Sequence, residues 1–339
     1  MLELYSDYLL SVSGLASATG LSAVSGFEVS HDAVTNFLSC NNYGSKELWL
    51  AVKPLIRKVE AGSGVLIVDD TIQEKPYTNE NKIVCWHYDH SKGRSLKGIN
   101  LLSLVANYDG VAFPVAYEVV EKDDKYIDPK DGKEKRRSLK TKNTMFLEMF
   151  DSSILNQVKF KYVLADSWFS SADNMEHIKL KKRKDFIFAL KDNRTVAASL
   201  AYKLNGKFQS LSSLQLADRT TLEVYIKGLE FPVLVTKLIF INEDNSEGIL
   251  YLATSDLELD GTKMAEIYQK RWKIEEYHKS LKQNAAFARS PTKTVRTQAN
   301  HIFASIYAFC KLQVISCKQC LNHFAIRACL LYTSPSPRD

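Results

Sequence analysis

The spacing of apolar and polar residues changes several times along the chain, and each change marks a predicted element. Residues 1 to about 60 carry apolar side chains at helical spacing. Ser30 is placed to cap an amphipathic turn through Val34, Phe37 and Leu38, and residues 46–59 form a second candidate helix. At Gly64 the texture changes. Val65-Leu-Ile-Val68 is a short continuous apolar run ending in Asp69-Asp70-Thr71, as expected of a buried strand that delivers polar groups at its end. Residues 99–107 and 111–120 read as strands joined by a tight turn at Tyr108-Asp109-Gly110, whereas 121–142 is densely and oppositely charged and reads as an exposed loop. Residues 144–157 return to helical spacing. Lys161-Tyr-Val-Leu-Ala165 is a second buried run, again followed by an acid, Asp166, and then come a helix at 171–182 and a strand at 185–190.

From 194 to 258 the pattern is β-rich, with strands at 221–227, 231–242 and 248–254 interrupting the alternation of strands and helices. A helix from 261 to about 283 and an apolar helix from 295 to about 317 follow. The predicted organisation is a helical region at 1–60 (a candidate DNA-binding region), an α/β core at 61–193, a β-rich insertion at 194–258, and the second part of the core at 259–328. The remaining stretch, 329–339, breaks the helical pattern. Its sequence, Cys329-Leu-Leu-Tyr-Thr-Ser-Pro-Ser-Pro-Arg-Asp339, resembles the in-frame translation of a transposon adapter used in sequencing libraries, so it is expected to be a non-native tail.

The chain of 339 residues is 45% apolar and 25% charged, the balance of a globular protein. Its net charge of +6 is modest, but the distribution is uneven. Between Thr262 and Arg296, nine Lys or Arg face only three acids, as on a surface that tracks phosphates. No apolar stretch reaches the length of a membrane span. Glu3 and Asp7 give the N-terminus none of the basic character of a signal peptide. Six scattered cysteines suit a reducing cytoplasm. Cys317 and Cys320, near His323, have no second ligand pair, so buried or helix-surface cysteines are expected there rather than zinc.

The residue spacing richest in chemistry is Tyr268-x2-Arg271-x3-Glu275-x6-Lys282. On a helix turning ~100° per residue these four side chains share an arc of ~60°, beside an apolar seam of Ile267, Ile274 and Leu281. Glu276 projects well off that stripe. The alternative is ordinary ion pairing on a solvated helix face. Against it stand Asp69 and Asp166, which end two buried strands and can meet Glu275 at one edge of a sheet. Three carboxylates suit hard divalent cations, Mg²⁺ or Mn²⁺. Two such ions about 4 Å apart would serve in-line phosphoryl transfer. Taken singly, each Asp is equally a strand-end residue capping a turn.

This order of strand-Asp, strand-Asp, β insertion and Tyr-Arg-Glu-Lys helix resembles the bacterial insertion-sequence transposases of the DDE superfamily, and within them the subgroup with the Y-x2-R-x3-E-x6-K signature. The resemblance covers roughly residues 64–316. It implies a ribonuclease-H-like mixed-sheet core flanked by helices. It also implies that Asp69, Asp166 and Glu275 are catalytic and hold two Mg²⁺ (or Mn²⁺), while Tyr268, Arg271 and Lys282 contact DNA phosphates. Such proteins commonly read Asp-x-Thr after the first strand, which favours Asp69 over Asp70. Lys191 and Arg194 are further candidate DNA contacts, with solvated surface charge as the alternative. Trp272 is expected near the DNA or in the core. His87-Tyr-Asp89-His90 looks like a metal cluster, although packing at a hairpin end is the expected role. The implied function is transposition in the bacterial cytoplasm on double-stranded DNA, meaning the element's terminal inverted repeats and the target, by at least a dimer on DNA and without a membrane partner. A nuclease lacking strand transfer and an inactive or domesticated DNA-binding protein are the alternatives.

Overall fold

The computed structural model describes residues 1–89, 92–242 and 244–333. Four helices come first: α1 (Leu2–Ser11), α2 (Ala18–Val24), α3 (His31–Cys40) and α4 (Ser45–Val59). Strands β1 (Val65–Glu74), β2 (Cys85–Asp89), β3 (Arg94–Tyr108) and β4 (Val111–Val119) follow, then a small pair, β5 (Asp124–Ile127) and β6 (Glu134–Arg137). Next come α5 (Lys142–Leu155), β7 (Tyr162–Ala165), α6 (Ala172–Glu176) running into a π turn at His177–Lys181, and β8 (Asp185–Leu190). The β-rich stretch holds β9 (Thr195–Ala197), α7 (Leu200–Leu204), β10 (Gln209–Ser210), β11 (Thr221–Ile226), β12 (Val233–Ile241) and β13 (Glu247–Thr254). Four late helices complete the order: α8 (Gly261–Gln269), α9 (Trp272–Asn284), α10 (Val295–Gln319) and α11 (His323–Thr333).

Eleven strands form one mixed sheet in the order β10-β9-β11-β12-β13-β8-β7-β1-β3-β2, with β4 also on β3. β1, β7 and β8 are parallel and their mates antiparallel. This is the helix-flanked mixed sheet expected of a ribonuclease-H-like core. The β-rich stretch extends the same sheet, because β13 pairs with β8. The strands at the centre are apolar throughout, as burial on both faces demands: every residue of β7, and Val65 to Val68 of β1, is buried.

The N-terminal helices form where the apolar spacing puts them. The Ser30 hydroxyl accepts the Ala33 N–H at the start of α3, and Val34, Phe37 and Leu38 are buried. α1 and α3 pack on α10, and α4 packs on β4. The Tyr5 hydroxyl meets His301 Nδ1 of α10 at 2.9 Å. The hairpin turn is also as predicted: Asp109 and Gly110 both have positive φ, 48° and 89°, which a two-residue hairpin loop requires.

Several elements differ from expectation, among them β2 and α11, which were not predicted, and β3, which begins at Arg94 rather than Ile99. β1 runs past its acids to Glu74, because residues 69–74 pair continuously with β3, from Asp69↔Ser103 to Glu74↔Gly98. At Gly98 a Cβ would lie 2.2 Å from the Gln73 carbonyl, so the two backbones close up only where that side chain is missing. Residues 121–142, predicted as loop, contain the β5–β6 pair. Cross-strand ion pairs such as Lys125–Glu134 (2.8 Å) and Arg137–Asp124 (2.6 Å) accompany it, and with no apolar face there is no alternating pattern to read. The single helix predicted over 261–283 is two, α8 and α9. At the junction the N–H groups of Arg271 and Ile274 bond to the carbonyls three residues back, a tightened turn. α8 packs on β8, β12 and β13, whereas α9 packs on β1 and β4, and one straight helix would not follow both parts of a twisted sheet. At the far end, Cys329–Thr333 continue α11. The rest of the predicted tail, 334–339, lies outside the described residues, as does His90.

Candidate active site

Parallel pairing of β1 with β7 brings the two strand-end acids together. The pairing runs to Ile67 opposite Leu164, and just beyond it the two chains carry Asp69 and Asp166 into one cleft, close enough for the charge of Asp166 to act on Asp69. Asp70 lines the same cleft, and its charge acts on both Asp69 and Asp166, but other side chains hold it. It accepts the Asn100 side-chain amide and pairs with Lys142, both at 2.7 Å. The two neighbouring aspartates thus have separate partners: Asp70 has a fixed cation and an amide, while Asp69 faces other acids.

The carboxylate of Asp69 accepts the Asp70 N–H at 2.8 Å and lies 3.7 Å from the Arg271 guanidinium. Burial, followed by the charges of Asp166 and Glu275, pushes its pKa up to about 8. Burial also raises Asp166, opposed by the Trp168 N–H it accepts at 2.9 Å and by the charge of Arg271. Glu275 enters from the first turn of α9, where Arg271 binds it at 3.2 Å. One guanidinium thus spans Asp69 and Glu275. Burial works against the charge of Arg271, but Tyr268, Asp69 and Glu275 together hold its pKa above the usual value.

The other residues of the spacing motif separate. Tyr268, on α8, is buried, and its hydroxyl donates to the Ala165 carbonyl at the end of β7 at 3.3 Å. Its ring lies 5.9 Å from the Arg271 guanidinium. Tyr268 therefore does not join an exposed stripe, because the break at residues 270–271 turns it into the core. Lys282 lies on α9, and its ammonium donates to the Ile72 carbonyl of β1 at 3.0 Å; burial pushes its pKa down. Glu276 is exposed and pairs with Lys273 at 2.7 Å, away from the acids.

A cleft of about 1050 Å³ opens over the acids, lined by Asp69, Asp70, Asp89, Asp166 and Glu275 and by the cations Lys92, Lys122, Lys140, Lys142, Lys191, Lys279 and Lys282. A negative floor ringed by lysines is the charge pattern of a site that holds cations below and a polyanion above. Of the two further candidate contacts, Lys191 lines the cleft, but Arg194 does not. Burial lowers the pKa of Arg194, and its backbone is tied into the turn after β8. Trp272 is exposed, with the Arg271 guanidinium 5.9 Å from its ring, and lies outside both the core and the cleft lining.

Three further residues line the cleft: two that the sequence pattern did not single out, and His87, expected only to pack at a hairpin end. Trp168 follows Asp166 and is half exposed, with the Lys142 ammonium 5.9 Å from its ring. His87 is buried and lines the cleft, its pKa pushed down to about 3 chiefly by burial. His278 is the third. A ring nitrogen of His278 and carboxylate oxygens of Asp69 and Glu275 all lie within 4.8 Å of one another, a grouping able to hold a metal ion. The signal for it was present, since His278 is three residues after Glu275 and on a helix shares its side. Its wheel position, at ~280° by the same ~100° per residue, falls beside the apolar seam and reads as packing. The cysteines near His323 form no such group among the described residues; Cys317 and Cys320 are exposed and free.

A protein-family model described as DDE superfamily endonuclease matches residues 1–203. The matched span holds Asp69 and Asp166 and stops short of Glu275. No curated protein matches the chain. No helix among the described residues is long and apolar enough to cross a membrane.

Proposed function

The chain belongs to the DDE superfamily endonucleases, and from that premise we propose that it is the transposase of an insertion sequence, in the subgroup defined by the spacing of Tyr268, Arg271, Glu275 and Lys282. The observation that carries this reading is the meeting of Asp69, Asp166 and Glu275 in one cleft, with Asp69 and Glu275 on one guanidinium. The family match supports nuclease chemistry. The extension to strand transfer rests on residues 268–282, beyond the matched span.

In this reading Asp69, Asp166 and Glu275 hold two divalent cations, Mg²⁺ or Mn²⁺. The donor set fits: the charges of Asp166 and Glu275 raise the Asp69 pKa, a repulsion a cation would relieve, and carboxylate oxygens are the ligands such ions favour. Bound there, the ions supply positive charge against the attacking and leaving oxygens of a phosphodiester. Arg271 exchanges a carboxylate for the phosphate beside the scissile bond, a bidentate match its planar fork allows. Lys282 and Lys191 hold neighbouring phosphates. Tyr268 acts indirectly, keeping Arg271 and the end of β7 in place from beneath, and Arg194 plays no part.

The reaction is in-line attack of water on the phosphorus at each element end, breaking the P–O3′ bond and leaving a 3′-hydroxyl on the element. That hydroxyl then attacks a phosphorus of target DNA and displaces a 3′-oxygen, with no covalent enzyme intermediate. Both terminal inverted repeats are double-stranded partners, so at least a dimer acts on DNA, in the bacterial cytoplasm. The test is incubation of the full chain with element-end duplex and Mg²⁺. Metal-dependent nicking at the element boundary, lost in Glu275→Gln, and joined products with target DNA are expected. Nicking without joined products would reduce the reading to a nuclease. Activity retained by Glu275→Gln would overturn the site, and DNA binding without metal-dependent cleavage would leave a binding protein.

A further inference from the structure

One buried atom in the cleft has no role in that scheme. His278 is only 5% exposed, and its Nε2 has no hydrogen-bond partner. Buried polar atoms of folded proteins are nearly always paired, so an orphan in a polar cleft points to an absent partner. The surroundings specify which kind. The ring has a nitrogen within 4.8 Å of carboxylate oxygens of both Asp69 and Glu275, and it faces the same cleft. Yet neither carboxylate forms a hydrogen bond with it: Asp69 receives the Asp70 N–H, and Glu275 receives Arg271. A cation equidistant from three such atoms would satisfy all of them at once.

We propose that His278 is a nitrogen ligand to a divalent ion held by Asp69 and Glu275. The inference rests on the metal-site reading above and adds to it a ligand from outside the three-acid set. It also carries a chemical consequence. Imidazole suits transition metals, whereas an all-oxygen set suits Mg²⁺, so this site prefers Mn²⁺ to Mg²⁺ by more than three carboxylates alone would. His87 is the internal control. It too is buried in the cleft lining with an unpartnered Nε2, but it is not part of the grouping with Asp69 and Glu275.

The experiment is electron spin-echo envelope modulation of Mn²⁺ added to the full chain, with binding measured by the loss of free-ion EPR signal. The wild type is expected to show the modulation of a directly bound ¹⁴N, converted to the ¹⁵N pattern by histidine labelling. His278→Gln should abolish it and weaken Mn²⁺ binding about tenfold or more, with a smaller effect on Mg²⁺, whereas His87→Asn should leave it intact. Mn²⁺ bound in an Asp69-dependent way without nitrogen modulation would overturn the role of His278 and leave the metal site standing. Modulation that survives in His278→Gln and vanishes in His87→Asn would also overturn it. Absence of any Asp69-dependent Mn²⁺ would remove both readings. The labelled wild type decides whether a histidine binds the ion, and the two variants, each checked for folding by circular dichroism, decide which one.

Discussion

On the strand side of the cleft, Asp69 and Asp166 follow directly on the backbone pairing between β1 and β7, half-buried and crowded by like charge. On the helix side, Glu275 has a side chain 43% exposed at the start of α9, with its partner Arg271 at the junction between two helices. The first arrangement is rigid and electrostatically unfavourable; the second is more open and balanced by a cation. The difference shows how such a site stores its capacity for metal. The sheet enforces repulsion that the side chains alone would relax, and the helix supplies both a third carboxylate and an arginine that restrains the acids meanwhile. Strain of this kind persists only where the surrounding fold over-determines it.

That contrast can be broken from either side. Arg271→Ala removes the guanidinium shared by Asp69 and Glu275, and a large effect is expected there. kcat/KM for cleavage of element-end DNA should fall about a hundredfold or more, as on loss of a positioned donor at a reacting phosphate. Arg271→Lys should recover little of it, since an ammonium does not reproduce the fork. A loss under about threefold would mean that the guanidinium serves only to balance charge in the free protein.

A second, intermediate effect concerns stability. The folded-state pKa of Asp69 is raised from 3.8 to about 8, so the native chain keeps a proton that the unfolded chain releases. As pH rises from about 4 to about 8 this group therefore subtracts stability, and above about 8 the loss is complete. Asp69→Asn should melt with the wild type near pH 4 and a few degrees above it, at about pH 8, in chelator. Divalent cation should close the gap by stabilising the wild type alone. A variant that melts below the wild type at pH 8 would show that the strand side carries no such repulsion.

The smallest effect is expected of Tyr268→Phe. It deletes one 3.3 Å hydrogen bond to the Ala165 carbonyl and keeps the ring beneath Arg271. About 1 kcal/mol of stability should be lost, with kcat/KM for cleavage within a few-fold of wild type. A loss as large as that of Arg271→Ala would return the hydroxyl to direct contact with DNA.

The strand side was legible in the sequence because a continuous apolar run ending in an acid suits little besides a strand buried on both faces with a polar end. β1, β7 and the 109–110 turn all formed where their residue types required. The helix side was legible only in part. No Gly or Pro interrupts residues 262–284, so nothing local marks the break at residues 270–271. It arises from packing α8 and α9 on different strands, which periodicity does not encode. The same break removed Tyr268 from the stripe. His278 was hidden for a different reason, its wheel position lying next to the apolar seam. The β5–β6 pair was hidden because charge pairs, unlike apolar faces, leave no period.

The most direct test compares the two neighbouring acids of β1. Full-length Asp69→Asn and Asp70→Asn, each checked for folding by circular dichroism, are assayed for Mg²⁺-dependent cleavage of element-end duplex. Asp69→Asn should lose about a thousandfold or more, the several kcal/mol that a metal ligand contributes at phosphorus. Asp70→Asn, which removes a charge paired with Lys142 and no ligand of the proposed metal site, should stay within about tenfold of wild type, a loss worth about 1.4 kcal/mol. Robust cleavage by Asp69→Asn, with the loss falling on Asp70→Asn instead, would contradict the account.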